Sequence, residues 1–554
     1  TEQLDVDLGG FDSSYDNAMG AVLDITPKYP SGDNSGFVHV GIFDSSFGYD
    51  FKVSDKVNGF IGARRSYFDL FYDKVTNIKE EAKKEEKTDI VVFPNYWDAT
   101  FFLTYTEGNH LFSFENIAAS DNLIVDTQKE EVRDPEATGE VAVSQGFATT
   151  GLRWIFSDDN YNANTLFYRR QTDAETRFFE KYRVSIHTVS NGLFHISTHD
   201  HEKHQPSYGF RATHNTIPLD ILAPRPPQGD DAAPDPLTVL AENGEIFSLS
   251  QTFTTDNIYA FMQDIYSISD SLKLRYGLST FDSSFGEYQT KADLRTALIY
   301  EIDEKNHLSF AIGQYTQSPE GFKQVEGFGN PALTDQKSIH YVAHYDHTFD
   351  NDYTMEIEPY YKEYKELAIE DRALNYVNKG TGNAYGADLT LKKRSDELYF
   401  YATYTYVKSK RQLNNDDKTK HTFYLETPHT VQLAASYHYS DPFVFSILTQ
   451  YHTGTPYTPI ESTSTIPIEG ASDLVVPNYG DPFSKRFPDF FTLNLKMAYT
   501  EKIDIYSSIE FSFELMNATD NKNVQDIRYD DNYDIEGYNY QLPLLPWFDV
   551  TYRF

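Results

Sequence analysis

Pro546-Trp547-Phe548-Asp549-Val550-Thr551-Tyr552-Arg553-Phe554 closes a chain of 554 residues. Successive side chains of a strand point to opposite faces, so Phe548, Val550, Tyr552 and Phe554 share one face. Trp547, Asp549, Thr551 and Arg553 share the other. One face is apolar and aromatic, the other mostly polar. A soluble sheet covered on one side alternates in the same way. What decides between the readings is that this stretch ends the chain on an aromatic residue and that its pattern recurs upstream. Ile509, Phe511, Phe513 and Leu515 alternate with Ser508, Glu510, Ser512 and Glu514. Phe491, Leu493, Leu495, Met497 and Tyr499 alternate with Thr492, Asn494, Lys496 and Ala498, and Val431 to Tyr439 repeats the scheme. Glu510 and Glu514 are costly in lipid, so their face must be the wet one. A strand between lipid and a watery lumen needs this alternation, and the sheet must close because lipid satisfies no open edge. The expected fold is all-β, a transmembrane antiparallel β-barrel.

Composition agrees. Mean hydropathy is −0.55, and no apolar run reaches the length of a membrane-crossing helix. The 42 Tyr and 41 Phe suit the aromatic girdles that barrels place at both membrane interfaces. With no cysteine, the chain has neither a disulfide nor a thiolate metal site. A net charge of −37 excludes nucleic acid as an expected partner. The chain starts at Thr1 with neither an initiator Met nor a signal peptide, and it reads as a processed or shortened product.

Short polar turns recur at 54–56, 107–109, 158–160, 200–202, 269–271, 304–306, 350–352, 395–396, 440–441 and 501–502. Two strands around each turn, plus the first and last, make about 22 strands, the size class whose lumen is plugged in transporters. Barrel strands are expected to begin near Gly36. Long polar connections are expected at 72–94, 120–144, 218–246, 319–336, 368–381, 412–427, 460–488 and 521–545. Short turns on one side and long loops on the other correspond to periplasm and exterior. The run Lys79 to Lys87, K-E-E-A-K-K-E-E-K, has the i,i+4 pairs of a short exposed helix.

Tyr15 to Lys28 reads Y-D-N-A-M-G-A-V-L-D-I-T-P-K, a small-residue turn into a short apolar strand. It resembles the end of the plug domain of TonB-dependent outer-membrane transporters, with Asp16, Ala21 and Pro27 as departures. Ala63-Arg64-Arg65-Ser66-Tyr67 is similar to that family's R-R-S-Y strand, Asn330-Pro331-Ala332-Leu333 to its N-P-x-L segment, and Gly386-Ala387-Asp388-Leu389 to its G-x-E-L strand. Tyr451 to Pro459, Arg486 to Asp489, Glu514 to Asp520 and the terminal Phe554 resemble late-barrel motifs. The resemblance implies residues 1–34 as the end of a plug with its linker and 35–554 as the barrel. The rest of the plug is expected to lie outside this sequence or on a separate chain. It also implies a multi-pass protein of a Gram-negative outer membrane, in contact with its lipid and driven by a TonB-type inner-membrane energy-coupling protein. A surface lipoprotein capping the loops is a further possible partner.

No catalytic motif or cofactor site stands out, and transport without covalent chemistry is expected. His195, His199, His201 and His204, with Asp200 and Glu202, have metal-like spacing but straddle a turn where such residues are ordinary. The acidic stretches 414–417 and 530–534 lack EF-hand spacing and read as soluble loop tips. Substrate contacts are expected from exterior loops, where aromatic rings stack on ligand faces and cations hold acidic groups. The candidates are Phe322, Lys323, Arg372, Tyr376, Arg528 and Tyr529. The acidic balance favours a neutral, cationic or peptide ligand over a strongly anionic one. The expected function is active uptake of a scarce nutrient of the siderophore, peptide or glycan class. The alternatives are a passive porin-like channel and a surface β-rich binding protein.

Overall fold

A computed structural model describes residues 3–67, 91–127, 139–178, 182–224, 246–284, 291–327, 329–350, 352–467, 474–530 and 532–554. In it, 22 antiparallel strands close into one barrel, each paired with its neighbours in sequence. The first barrel strand is Ser35–Gly41, and it pairs with the last, Leu545–Arg553, through Val38 opposite Tyr552 and Val40 opposite Val550. Phe554 and Gly36 complete that seam by exchanging main-chain hydrogen bonds of 3.0 and 2.6 Å.

Alternation sorts the two faces as the sequence reading requires. Phe548, Tyr552 and Phe554 stand exposed on the outer wall, flush with Phe511 and Phe513. Inside, the His39 ring bonds Thr551 at 3.0 Å, Trp547 packs on Phe43, and Arg553 meets Glu510 at 3.0 Å. Among the described residues no helix is long and apolar enough to cross a membrane, so crossing falls to the strands.

Strand length is uneven around the ring. From Val91–Glu107 to Ile246–Ser269 the strands run 17 to 24 residues, whereas Ser508–Met516 and Leu545–Arg553 have 9 each. About 9–11 tilted residues cross a bilayer. The turns at one end are short throughout, so the surplus rises as a tall wall on the loop side. This corrects the expected loops at 120–144 and 218–246, since strand continues to Thr127, resumes at Gly139, and runs on to Pro224. These segments read as loop because above the membrane the apolar alternation fades. The expected connections 460–488 and 521–545 hold hairpins of their own, Ile460–Ile466 with Leu474–Tyr479 and Val524–Tyr529 with Ile535–Tyr540. The expected helix at 79–87 lies outside the described residues.

Residues ahead of Ser35 form no part of the ring. Gln3–Asp7 pairs with Val22–Thr26, and residues 8–20 between them lie against the inner wall. The linker that follows is pinned where Tyr29 donates to Glu115 at 3.2 Å and the Ser31 amide donates to Asp50 at 2.9 Å.

Candidate functional site: the inner mouth of the barrel

The connection between strands Asn306–Gln317 and Gln336–Thr348 folds inward across the mouth. Its one 3₁₀ turn, Gly321–Gln324, is followed by Val325, which is buried with Leu219 and Ile221 of strand Ser207–Pro224. Asn330 reaches the other way, donating to the Tyr376 carbonyl at 2.7 Å on strand Asn375–Arg394. Thr334 and Asn378 exchange hydrogen bonds of 2.7 and 2.8 Å, and Leu333 is fully buried. The Asn330-Pro331-Ala332-Leu333 segment therefore fastens a loop that bridges two well-separated strands.

This arrangement brings three of the expected contact residues together. Lys323 Nζ lies 5.7 Å from the Phe322 ring centre and 5.3 Å from that of Tyr376. The two rings meet edge to face at 6.4 Å. Glu320 sits 3.5 Å from the ammonium. The largely buried ammonium lies over two aromatic faces with Glu320 beside it, and Phe322 stays exposed.

Arg372 stands apart, highly exposed, with Asp416 at 3.1 Å. Arg528 and Tyr529 belong to a second group on the late hairpins. Arg528 pairs with Glu536 at 3.0 Å. Tyr529, Tyr457, Tyr479 and Tyr538 gather there, with Tyr457 packed on Phe487 at 4.7 Å. Tyr457, Tyr479 and Tyr538 are not among the residues that sequence reasoning singles out. Their tyrosine-rich loops were a signal, but three separate hairpins deliver them.

Arg486 and Gly454 anchor this second group. Arg486 donates to the carbonyls of Glu426 and Gly454, at 2.6 and 3.0 Å, and to the buried Glu426 carboxylate. A side chain on Gly454 would collide with the Phe487 carbonyl, which is the physical reason for the glycine in Tyr451 to Pro459.

Burial, reinforced by neighbouring phenols, raises the pKa of Tyr529 and of Tyr479 above the ordinary 10.0. A raised value means that the folded state favours the protonated phenol. That contribution is complete below the ordinary value and is lost as pH rises through the folded one. Ultraviolet titration near 295 nm is expected to show a tyrosine class ionising after the bulk, and replacing Tyr479 and Tyr529 by Phe should shrink it. An unchanged curve would refute the cluster.

The histidines with metal-like spacing do not converge. His195 is bonded by Thr165 and Ser197 at 2.8 Å each, His199 meets the Tyr208 hydroxyl at 3.2 Å, and His204 meets Asp264 at 2.6 Å. Among the described residues no group of three or more His, Asp or Glu side chains could hold a metal. In the loop 414–417, Asp416 faces Arg372, while the Thr419 amide at 2.8 Å and His421 at 2.9 Å bond Asp417. The Thr419 hydroxyl first, then its amide and His421, hold the Asp417 carboxyl down to about 2.

Comparison with known proteins places this architecture. The outer membrane transporter YddB from Escherichia coli superposes with a TM-score of 0.70 at 10% identity, covering 99% of this chain and 84% of that one. A mutant of the ferric enterobactin receptor PfeA from Pseudomonas aeruginosa gives 0.69 at 12% identity, over 100% and 85%. The ferripyoverdine receptor of the same organism gives 0.68 at 10% identity, over 97% and 74%. No curated relative matches the sequence. The family described as TonB dependent receptor-like, beta-barrel, matches residues 93–518. That match spans most of the barrel, and the chain belongs to the TonB-dependent receptors, which work in Gram-negative outer membranes by uptake coupled to TonB.

Proposed function

We propose that this receptor captures a neutral, cationic or peptide-like nutrient at its exterior mouth. Phe322, Lys323 and Tyr376 form the inner contact, and the tyrosine hairpins around Tyr529 form the outer one. The single observation that carries this reading is the Lys323 knot, two aromatic faces and an ammonium presented by a loop stretched across the opening. Such a surface stacks on flat or apolar ligand faces, while the ammonium, beside Glu320, holds the two rings together. The net charge of −37 supports a ligand that is not strongly anionic. The receptors of similar fold carry ferric enterobactin or ferripyoverdine in their names, but at 10–12% identity the likeness concerns the fold. Siderophore, peptide and glycan remain the classes to screen.

Residues 1–34 are proposed as the end of a gating plug and its linker, with the remainder of the plug upstream or on another chain. A lipoprotein over the loops belongs to the same proposal.

The test is accumulation of labelled siderophores, oligopeptides and oligosaccharides by cells with and without the energy-coupling protein. The expected result is accumulation of one class that needs the coupling protein. Replacing Lys323 and Tyr376 together by Ala should lower apparent affinity at least about tenfold, the loss of roughly 1.4 kcal/mol. Equal uptake without coupling, together with persistent large conductance of the purified complete protein, would instead make it a passive channel.

A further inference from the structure

Six consecutive barrel strands each extend at least one hydrogen-bond donor to the same short piece of chain. Tyr259, on Ile246–Ser269, donates to the carbonyls of Ser13 and, at 3.1 Å, of Tyr15. Arg275, on Leu272–Ser283, donates to Gly10 at 2.7 Å. Arg295, on Lys291–Asp303, donates to Asp12 and, at 2.9 Å, to Tyr15. Tyr315, on Asn306–Gln317, donates to Phe11 at 3.0 Å. His340, on Gln336–Thr348, bonds Met19 at 3.0 Å, and Lys362, on Tyr353–Asp371, holds Leu8 and, at 2.7 Å, Gly20.

Each of these acceptors is a main-chain carbonyl, and Gln263, on Ile246–Ser269, also donates to the Asp12 carboxylate at 3.2 Å and accepts from the Ser13 amide at 3.0 Å. Side chains add to the hold. Phe11 is buried against Tyr315 at 4.4 Å with the Arg295 guanidinium 5.2 Å from its ring centre, and Arg211 pairs with Asp16. Ser13 is buried against Gly277, where a side chain would overlap its hydroxyl. The adjoining hairpin is different in kind, since Leu4, Val6, Leu23 and Ile25 are all more than half exposed. The hold therefore begins abruptly at Leu8.

We propose that residues 8–20 are a fixed strap that stays on the inner wall throughout transport. Any gate displaced by the coupling protein then moves upstream of Leu8, and the passage opens between the strap and the opposite wall, the strands from Ser508–Met516 across the Leu545–Arg553 and Ser35–Gly41 seam to Val91–Glu107. Distributing the load over donors on six strands, two of them arginines and one a lysine, lets no single hydrogen bond carry it. The placement of the passage rests on the gated-uptake reading; the immobility of the strap does not.

The chain has no cysteine, so single-cysteine variants report cleanly. Leu4→Cys and Ser13→Cys would be labelled with a polyethylene-glycol maleimide in intact cells, with and without a proton uncoupler. Ser13→Cys is expected to label at least about 100-fold more slowly than Leu4→Cys in both conditions, the protection of a segment that opens rarely. Ser13→Cys approaching the Leu4→Cys rate in energised cells would overturn the strap. Combining Ser13→Cys with Arg295→Met and Lys362→Met should speed its labelling at least about tenfold; an unchanged rate would overturn the role given to the donors. Where the cysteine disturbs packing, hydrogen exchange of amides 9–19 in the unaltered chain measures the same protection, and fast exchange there would overturn the strap equally. Leu4→Cys labelling indifferent to the uncoupler would count against gated uptake, while a protected Ser13 would still uphold the strap.

Discussion

Phe513→Arg should cost the barrel about 2–4 kcal/mol, the penalty for an arginine on the lipid face near the membrane centre. Phe513 sits on the outer wall opposite Phe548 and Met497, among side chains that face nothing else in the protein. One residue along the same strand, Glu514 faces the lumen, and Glu514→Gln should fall within about 0.5 kcal/mol of the parent, as for a solvated surface change. Urea unfolding of the protein reconstituted in phospholipid vesicles measures both. The contrast between neighbours is the informative quantity, because a uniform effect of both substitutions would mean that the faces are assigned wrongly.

The second large effect concerns the exterior hairpins. Glu426 is almost wholly buried, where it accepts from the Ser409 amide at 2.6 Å, meets Arg486, and lies 3.5 Å from Lys408. Removing one partner of a buried pair is more damaging than replacing both, because the other charge is left without compensation. Glu426→Ala is expected to destabilise the 454–489 hairpins by roughly 3 kcal/mol, less whatever Arg486 recovers from its two carbonyls and from water. The readout is limited proteolysis of the exterior loops. Cleavage within 454–489 should accelerate while the barrel resists, and Glu426→Ala combined with Arg486→Leu should recover part of the loss. Cleavage at the parental rate would show that the pair does not hold the loop.

Much of the barrel was legible because lipid imposes a period of two on every crossing strand. Phe491 to Tyr499, Ile509 to Leu515 and Phe548 to Phe554 announce their outer faces residue by residue. Legibility faded where that constraint ends. Above the membrane, Ser120 to Thr127 and Gly139 to Ser144 carry strand hydrogen bonds, but Leu123-Ile124-Val125 and Val141-Ala142-Val143 are apolar on consecutive positions between polar residues, so no alternation marks them as strand. The candidate contacts were partly legible. Phe322 and Tyr376 stand out singly as loop aromatics, but their meeting across 54 positions depends on Asn330 and Asn378 fastening the loop, which no spacing reveals. The strap left almost no trace. Its recognition runs mostly through carbonyls that every residue possesses, and its donors are scattered over six strands.

The seam between Ser35–Gly41 and Leu545–Arg553 bears on time rather than on energy. The first strand is made early, yet its partner arrives about 500 residues later, and an unpaired edge invites wrong partners throughout that interval. The ring cannot close by growing outward from its start. The seam at Phe554 and Gly36 cannot form before the last strand has been made, so the edge of the first strand waits for that partner until translation is over.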